Sequence, residues 1–244
     1  MRRRRLVSAV VVFAALGGAA LFLWRMTYVA PTWYAPPDSH DQQVAALADK
    51  VEQRMLEEAQ KIREQSDRWT LKVREPQINA WLAARLPQWI EHEQHGQWPE
   101  QFGTPQVKID PQGISLALPL RTALGSRPRV IVARIRPQII DGHLKLQIDR
   151  LALGRVILPG EPLANLLRTL EPAVPALAKD QKFRKALDIF SGQRMVDPVT
   201  RLADHRRLRL ISFQLGDGWV DLTAQTLEPG TASDLTAAPI GASN

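Results

Sequence analysis

The chain has 244 residues and a formal charge of +7, no cysteine, and 45% apolar residues. The missing cysteine excludes disulfides, thiolate nucleophiles and thiolate metal sites together. The charge resembles that of a nucleic-acid binder, but Arg2, Arg3, Arg4 and Arg5 supply four of the seven charges, so no nucleic-acid partner is expected.

Residues 6–24 contain no formally charged side chain. Nineteen helical residues at about 1.5 Å each approach the thickness of a hydrocarbon core, so a transmembrane helix is expected there. The four arginines before it predict a cytoplasmic N-terminus and an extracytoplasmic remainder, in a single-pass protein of a bacterial inner membrane. The competing reading is a cleaved signal peptide. Its apolar region is ordinarily about 7–15 residues long, whereas here the run continues past Gly17, Gly18, Ala19 and Ala20 into Leu21-Phe22-Leu23-Trp24.

The expected domain plan is therefore a basic stub at 1–5, the transmembrane helix at 6–24 and a Pro-rich linker at 25–40. An extracytoplasmic α+β domain follows at 41–225, with a disordered tail at 226–244. The expected fold class is α+β: a single N-terminal transmembrane helix, then a long helix and a curved antiparallel sheet with additional short helices. Roughly 200 residues beyond the anchor can bury one sizeable core.

Within that domain, Val44, Leu47, Val51, Met55, Ala59 and Ile62 recur at helical steps and predict a long amphipathic helix over residues 41–68. Residues 69–73 alternate as a short strand. Glu75-Pro76 then opens a helix that places Ile78, Trp81, Leu82 and Leu86 on one face and ends at Pro87. Asn79 lies beside that face, where its amide can bond a nearby backbone carbonyl.

Ile114, Leu116, Leu118 and Leu120 occupy alternate positions after the turn Asp110-Pro111-Gln112-Gly113, and a third strand is expected over residues 128–140. Asp141-Gly142 marks a tight hairpin into Leu144, Leu146 and Ile148. Residues 154–159 are expected to leave the sheet. Helices follow at 162–170 and 179–190, with another helical turn after Asp197-Pro198. A last hairpin spans 207–215 and 219–223, around Gly216-Asp217-Gly218.

No set of residues assembles a catalytic site, so the chain is expected not to be an enzyme, with no catalytic, cofactor-binding or metal-binding residues and no cofactor. Glu91-His92-Glu93-Gln94-His95 has ligand-like spacing for zinc but lacks the His-Glu-x-x-His order and a third ligand, and a polar exposed segment accounts for it. Gly113-Ile114-Ser115-Leu116-Ala117 resembles a nucleophile elbow, but Ser115 falls on the polar parity of a strand. Arg129, Arg134 and Arg136 suit a carboxylate or phosphate, and equally an ordinary solvated strand face.

Two groups of residues carry a family resemblance. The first is Trp69-Thr70-Leu71 with Gln77-Ile78-Asn79-Ala80-Trp81-Leu82. The second is Asp141-Gly142-His143-Leu144 with Gly154-Arg155-Val156-Ile157-Leu158-Pro159. In that arrangement the chain resembles the tubular lipid-binding (TULIP-like) group of bacterial membrane-anchored extracytoplasmic proteins, over about residues 41–223. The resemblance implies a sheet wrapped around a long helix, an apolar groove for acyl chains, and no catalytic motif. The partners expected are the lipid bilayer and a lipid or other apolar ligand. The alternative function is a scaffold or interaction subunit of a cell-envelope or secretion complex, with envelope proteins as partners.

Overall fold

The fold is described from a computed structural model. It describes residues 2–61, 63, 67–93, 97–121, 127–161, 165, 185, 188–192, 194–202 and 206–227, with backbone alone for 2–12 and 14. Four helices are seen among these residues: α1 (Arg2–Met26), α2 (Gln42–Gln60), α3 (Glu75–Ala84) and α4 (Leu86–Glu93). The strands are β1 (Arg68–Arg74), β2 (Gln106–Asp110), β3 (Gly113–Leu120), β4 (Arg129–Ile140), β5 (His143–Leu153), β6 (Val156–Ile157), β7 (Val199–Arg201), β8 (Arg207–Gly216) and β9 (Trp219–Leu227).

The fold is α+β, but the expected transmembrane helix is overturned. Among the described residues no helix is long and apolar enough to cross a membrane. α1 runs Arg2–Met26 and opens with four arginines in its first turn. Gly17, Gly18, Ala19 and Ala20 add little apolar surface to that stretch, and Arg25 stands in its last turn.

The C-terminal end of α1 and the segment after it are instead bonded to the domain. Arg155 N–H donates to the Met26 carbonyl (3.2 Å) and its Nε to the Ala30 carbonyl (3.1 Å). Tyr34 donates its hydroxyl to the Thr104 carbonyl at 2.8 Å. Gln106 accepts from Ala35 N–H at 2.7 Å and donates to the Trp33 carbonyl at 3.3 Å. The guanidinium of Arg129 lies over the rings of Trp24 and Tyr28 at 4.6 and 4.2 Å. Residues 26–35 are thus bonded to the domain at several points.

One curved sheet was expected, and two antiparallel sheets are found. One runs β2-β3-β4-β5-β6 and the other β1-β9-β8-β7. In the first, Asp141 and Gly142 both take positive φ (50° and 75°), the conformation that matches a two-residue turn to the twist of β4 and β5. Ile131, Ala133, Ile148, Leu151 and Leu120 form its core, with Phe102 and Phe190 against them. Residues 154–159 do not simply leave: Val156 and Ile157 pair with Leu153 and Ala152 as a short edge.

The second sheet joins distant parts of the chain, since β1 pairs with β9 from Arg68 opposite Gln225 to Arg74 opposite Trp219. Leu71, Val73, Val220 and Ile109 make the core between this sheet and β2. The turn of helix expected after Asp197-Pro198 is strand β7, paired with β8. The helices expected at 162–170 and 179–190 lie largely outside the described residues, although 188–190 are helical. Of the tail expected at 226–244, Thr226 and Leu227 belong to β9 and the rest lies outside the described residues.

α2 begins at the Asp41 cap, whose carboxylate accepts Gln43 N–H at 2.8 Å, and ends eight residues before the bound expected for it. The fully buried side chains of α2 are Ala48 and Val51, and its main neighbour is α3. Pro87 does not end helical structure. It sits at the second position of α4, where its missing N–H costs nothing.

Candidate functional site

Two helical stripes face each other across an open groove. From α2 come Asp49, Glu52, Gln53, Leu56, Glu57 and Gln60, spaced by three and four residues along one face. From α3, its cap and α4 come Trp81, Arg85, Gln88, Trp89 and His92, with the same spacing carried across the break at Arg85. The groove has a volume of 660 Å³, within the range of small-molecule sites.

Its walls combine aromatic and acidic groups. Trp81 and Trp89 stand 6.4 Å apart with their rings tilted by 57°. Trp89 is 43% exposed, Leu56 53% and the neighbouring Met55 44%, so α2 leaves apolar side chains uncovered once it passes Val51. Trp81 Nε1 donates to Glu52 at 3.2 Å. Arg85 bonds both Asp49 and Gln88, and Gln53 donates to Glu57 at 2.9 Å.

The residues singled out from the sequence fall mostly elsewhere. His92 lines the groove, but its Nδ1 is within 2.8 Å of the Gln88 carbonyl. His95 lies outside the described residues, and among the described residues no three His, Cys, Asp or Glu side chains gather to hold a metal. Ser115 lies within β3, opposite Arg134, and not on a turn into a helix. The arginines proposed for anions have partners within the chain: Arg134 bonds Asp110 at 2.6 Å and Arg136 bonds Asp149 at 2.7 Å. Gly216 and Gly218 flank a hairpin turn.

Asn79 is buried and structural. Its Nδ2 donates to the Val107 carbonyl at 2.9 Å, and its Oδ1 accepts Val107 N–H at 2.7 Å. Trp81 was legible as part of an apolar helix face. Trp89 is missed from the sequence because reading Pro87 as a stop hides the continuation of the Trp81 stripe, and Leu56 and Glu52 because they fall off the apolar stripe read for α2. The i, i+4, i+8 run of Trp81, Arg85 and Trp89 was the available signal.

Neither a protein-family model nor a curated protein matches the chain. The functional reading therefore rests on the groove.

Proposed function

We propose that the protein binds a lipid or another apolar ligand, without catalysing a reaction on it, in the groove between α2 and the α3–α4 pair. The observation that carries this reading is an open groove whose mixed lining includes the exposed apolar side chains of Leu56 and Trp89. Trp81, Trp89 and Leu56 stand among eight polar residues around an open volume of 660 Å³, and a ligand chain laid on those three removes apolar surface from water at about 25 cal/mol per Å². The TULIP-like resemblance points to the same class of ligand. It places the groove against the sheet, however, whereas α2 here packs on α3.

Native mass spectrometry of the full chain, released from the cells that make it, tests the reading. A bound apolar molecule is expected on the wild type and not on Leu56→Gln/Trp89→Gln. A bare mass for both, or the same bound mass on both, overturns it.

A second reading is favoured by the run of Met55 and Leu56 on the surface of α2. A partner's amphipathic helix can lay apolar anchors on Met55, Leu56 and Trp89 as well as an acyl chain can, which suits an interaction subunit of an envelope complex. Crosslinks from α2 to one defined protein, with no ligand mass, favour that reading over the first.

A further inference from the structure

We infer that the groove selects its ligand by a cationic head, an alkylammonium or quaternary ammonium group, seated against Trp81 and Trp89 with Glu52 and Glu57 as its counter-charges. The inference rests on the groove being a ligand site, and adds what kind of ligand enters it.

The charge inside the groove runs against that of the chain. In a protein of net charge +7, the lining carries the carboxylates of Asp49, Glu52 and Glu57 against the single guanidinium of Arg85. Arg85 is already turned to Asp49 and to Gln88 Oε1 at 2.9 Å. Among the described residues, Glu52 and Glu57 take hydrogen bonds from neutral donors, Trp81 Nε1 and Gln53 Nε2. Glu52 thus stands at Trp81 and Glu57 further along the groove, with no ion pair to either among the described residues. A wholly neutral ligand would strip water from these carboxylates and return nothing, and an anion would be repelled.

The rings are the second half of the site. An indole face attracts a cation held within about 6 Å of its centre. Elsewhere the protein fills such faces from its own side chains: Lys72 lies 3.7 Å from the centre of the Trp219 ring, Arg63 4.5 Å from Trp69 and Arg129 4.6 Å from Trp24. Among the described residues no cation covers Trp81 or Trp89. The two rings are tilted by 57° to one another, and Glu52 accepts from the indole N–H of Trp81. An ammonium group seated on an indole face that lines the groove meets a π face with a carboxylate nearby, and its alkyl chain then lies along Leu56.

The test is a titration of the full chain, followed by tryptophan fluorescence, with three amphiphiles of one tail. These are dodecyltrimethylammonium, dodecyl maltoside and dodecyl sulfate, each kept below its micelle concentration at one fixed ionic strength. The trimethylammonium head is expected to bind about tenfold more tightly than the maltoside. Glu52→Gln/Glu57→Gln is expected to erase that preference, bringing the affinities of the trimethylammonium and maltoside heads together. Tetramethylammonium alone distinguishes the sources. If it competes, the ligand is a free ammonium compound; if only the tailed form binds, it is a lipid headgroup; either result supports the inference. Equal affinity for the three heads, or preference for the sulfate, overturns the cation and leaves the apolar groove standing. No binding by any of the three overturns both.

Discussion

Asn79 of α3 bonds both main-chain groups of Val107, taking its N–H at 2.7 Å and giving its amide to the carbonyl at 2.9 Å. A side-chain amide thus stands where a neighbouring strand would. Two residues on, Ile109 N–H goes to Glu75 Oε2 at 2.8 Å and its carbonyl accepts Gly218 N–H at 3.0 Å. The outer edge of β2 is satisfied by a helix start and a hairpin turn. A bare strand edge is costly when buried and prone to pair wrongly when exposed. The same contacts tie the two sheets together and fix α3, and with it Trp81, relative to both.

Removing that amide is expected to cost far more than a surface change. Asn79→Leu leaves the Val107 N–H and carbonyl buried without partners, for a loss of about 2–4 kcal/mol. Urea unfolding followed by circular dichroism reads it as a lower midpoint at unchanged slope. A midpoint equal to that of the wild type means that water replaces the amide freely.

Two glycines of like conformation separate backbone strain from close packing. Gly142 has φ +75° and nothing within 4 Å of where a Cβ would stand, whereas Gly154 has φ +59° and its Cβ would lie 2.5 Å from the Thr27 carbonyl oxygen and 2.6 Å from that of Met26. Gly142→Ala should cost about 1–2 kcal/mol from the left-handed backbone alone. Gly154→Ala should cost more and also release the segment after α1, seen as faster proteolysis within residues 27–35. Equal losses and equal cleavage for the two variants contradict the docking of that segment.

Burial pushes the Tyr34 hydroxyl from an ordinary 10.0 up to about 12. Below about pH 10 the folded and unfolded chains both hold the proton, so the stability due to this group is fully present there. Between about 10 and 12 the unfolded chain releases its proton first, and stability falls as pH rises. With the ring half exposed, the loss is about 1–2 kcal/mol across that window. Thermal melting points measured through the window should decline more steeply for the wild type than for Tyr34→Phe. At neutral pH that variant gives up only the bond to Thr104, worth about 1 kcal/mol. Parallel declines would place the alkaline sensitivity elsewhere.

The local hairpins were legible because their signals are short-range: alternation in β3 and β5, and Asp141-Gly142 with two positive φ angles. The pairing of β1 with β9 was not, because alternation says which face of Leu71 and Val73 is buried but not which strand covers it. Asn79 was legible as a residue that bonds backbone, and its partner Val107 was not, for the same reason. At the N-terminus, a lack of charge over residues 6–24 marked a helix, but small residues at Gly17 to Ala20 give that helix less apolar surface than the count of uncharged positions implies. The groove was half visible. Trp81 stood out on its helix face, but the face continues only because Pro87 begins α4 instead of ending α3.

The groove as an apolar binding site is tested most directly by quenching with an amphiphile brominated along its tail. Of the seven tryptophans in the chain, only Trp81 and Trp89 line the groove. Saturable quenching is expected in the wild type and its loss is expected in Trp81→Phe/Trp89→Phe. Undiminished quenching in the double variant, or none in the wild type, contradicts the account.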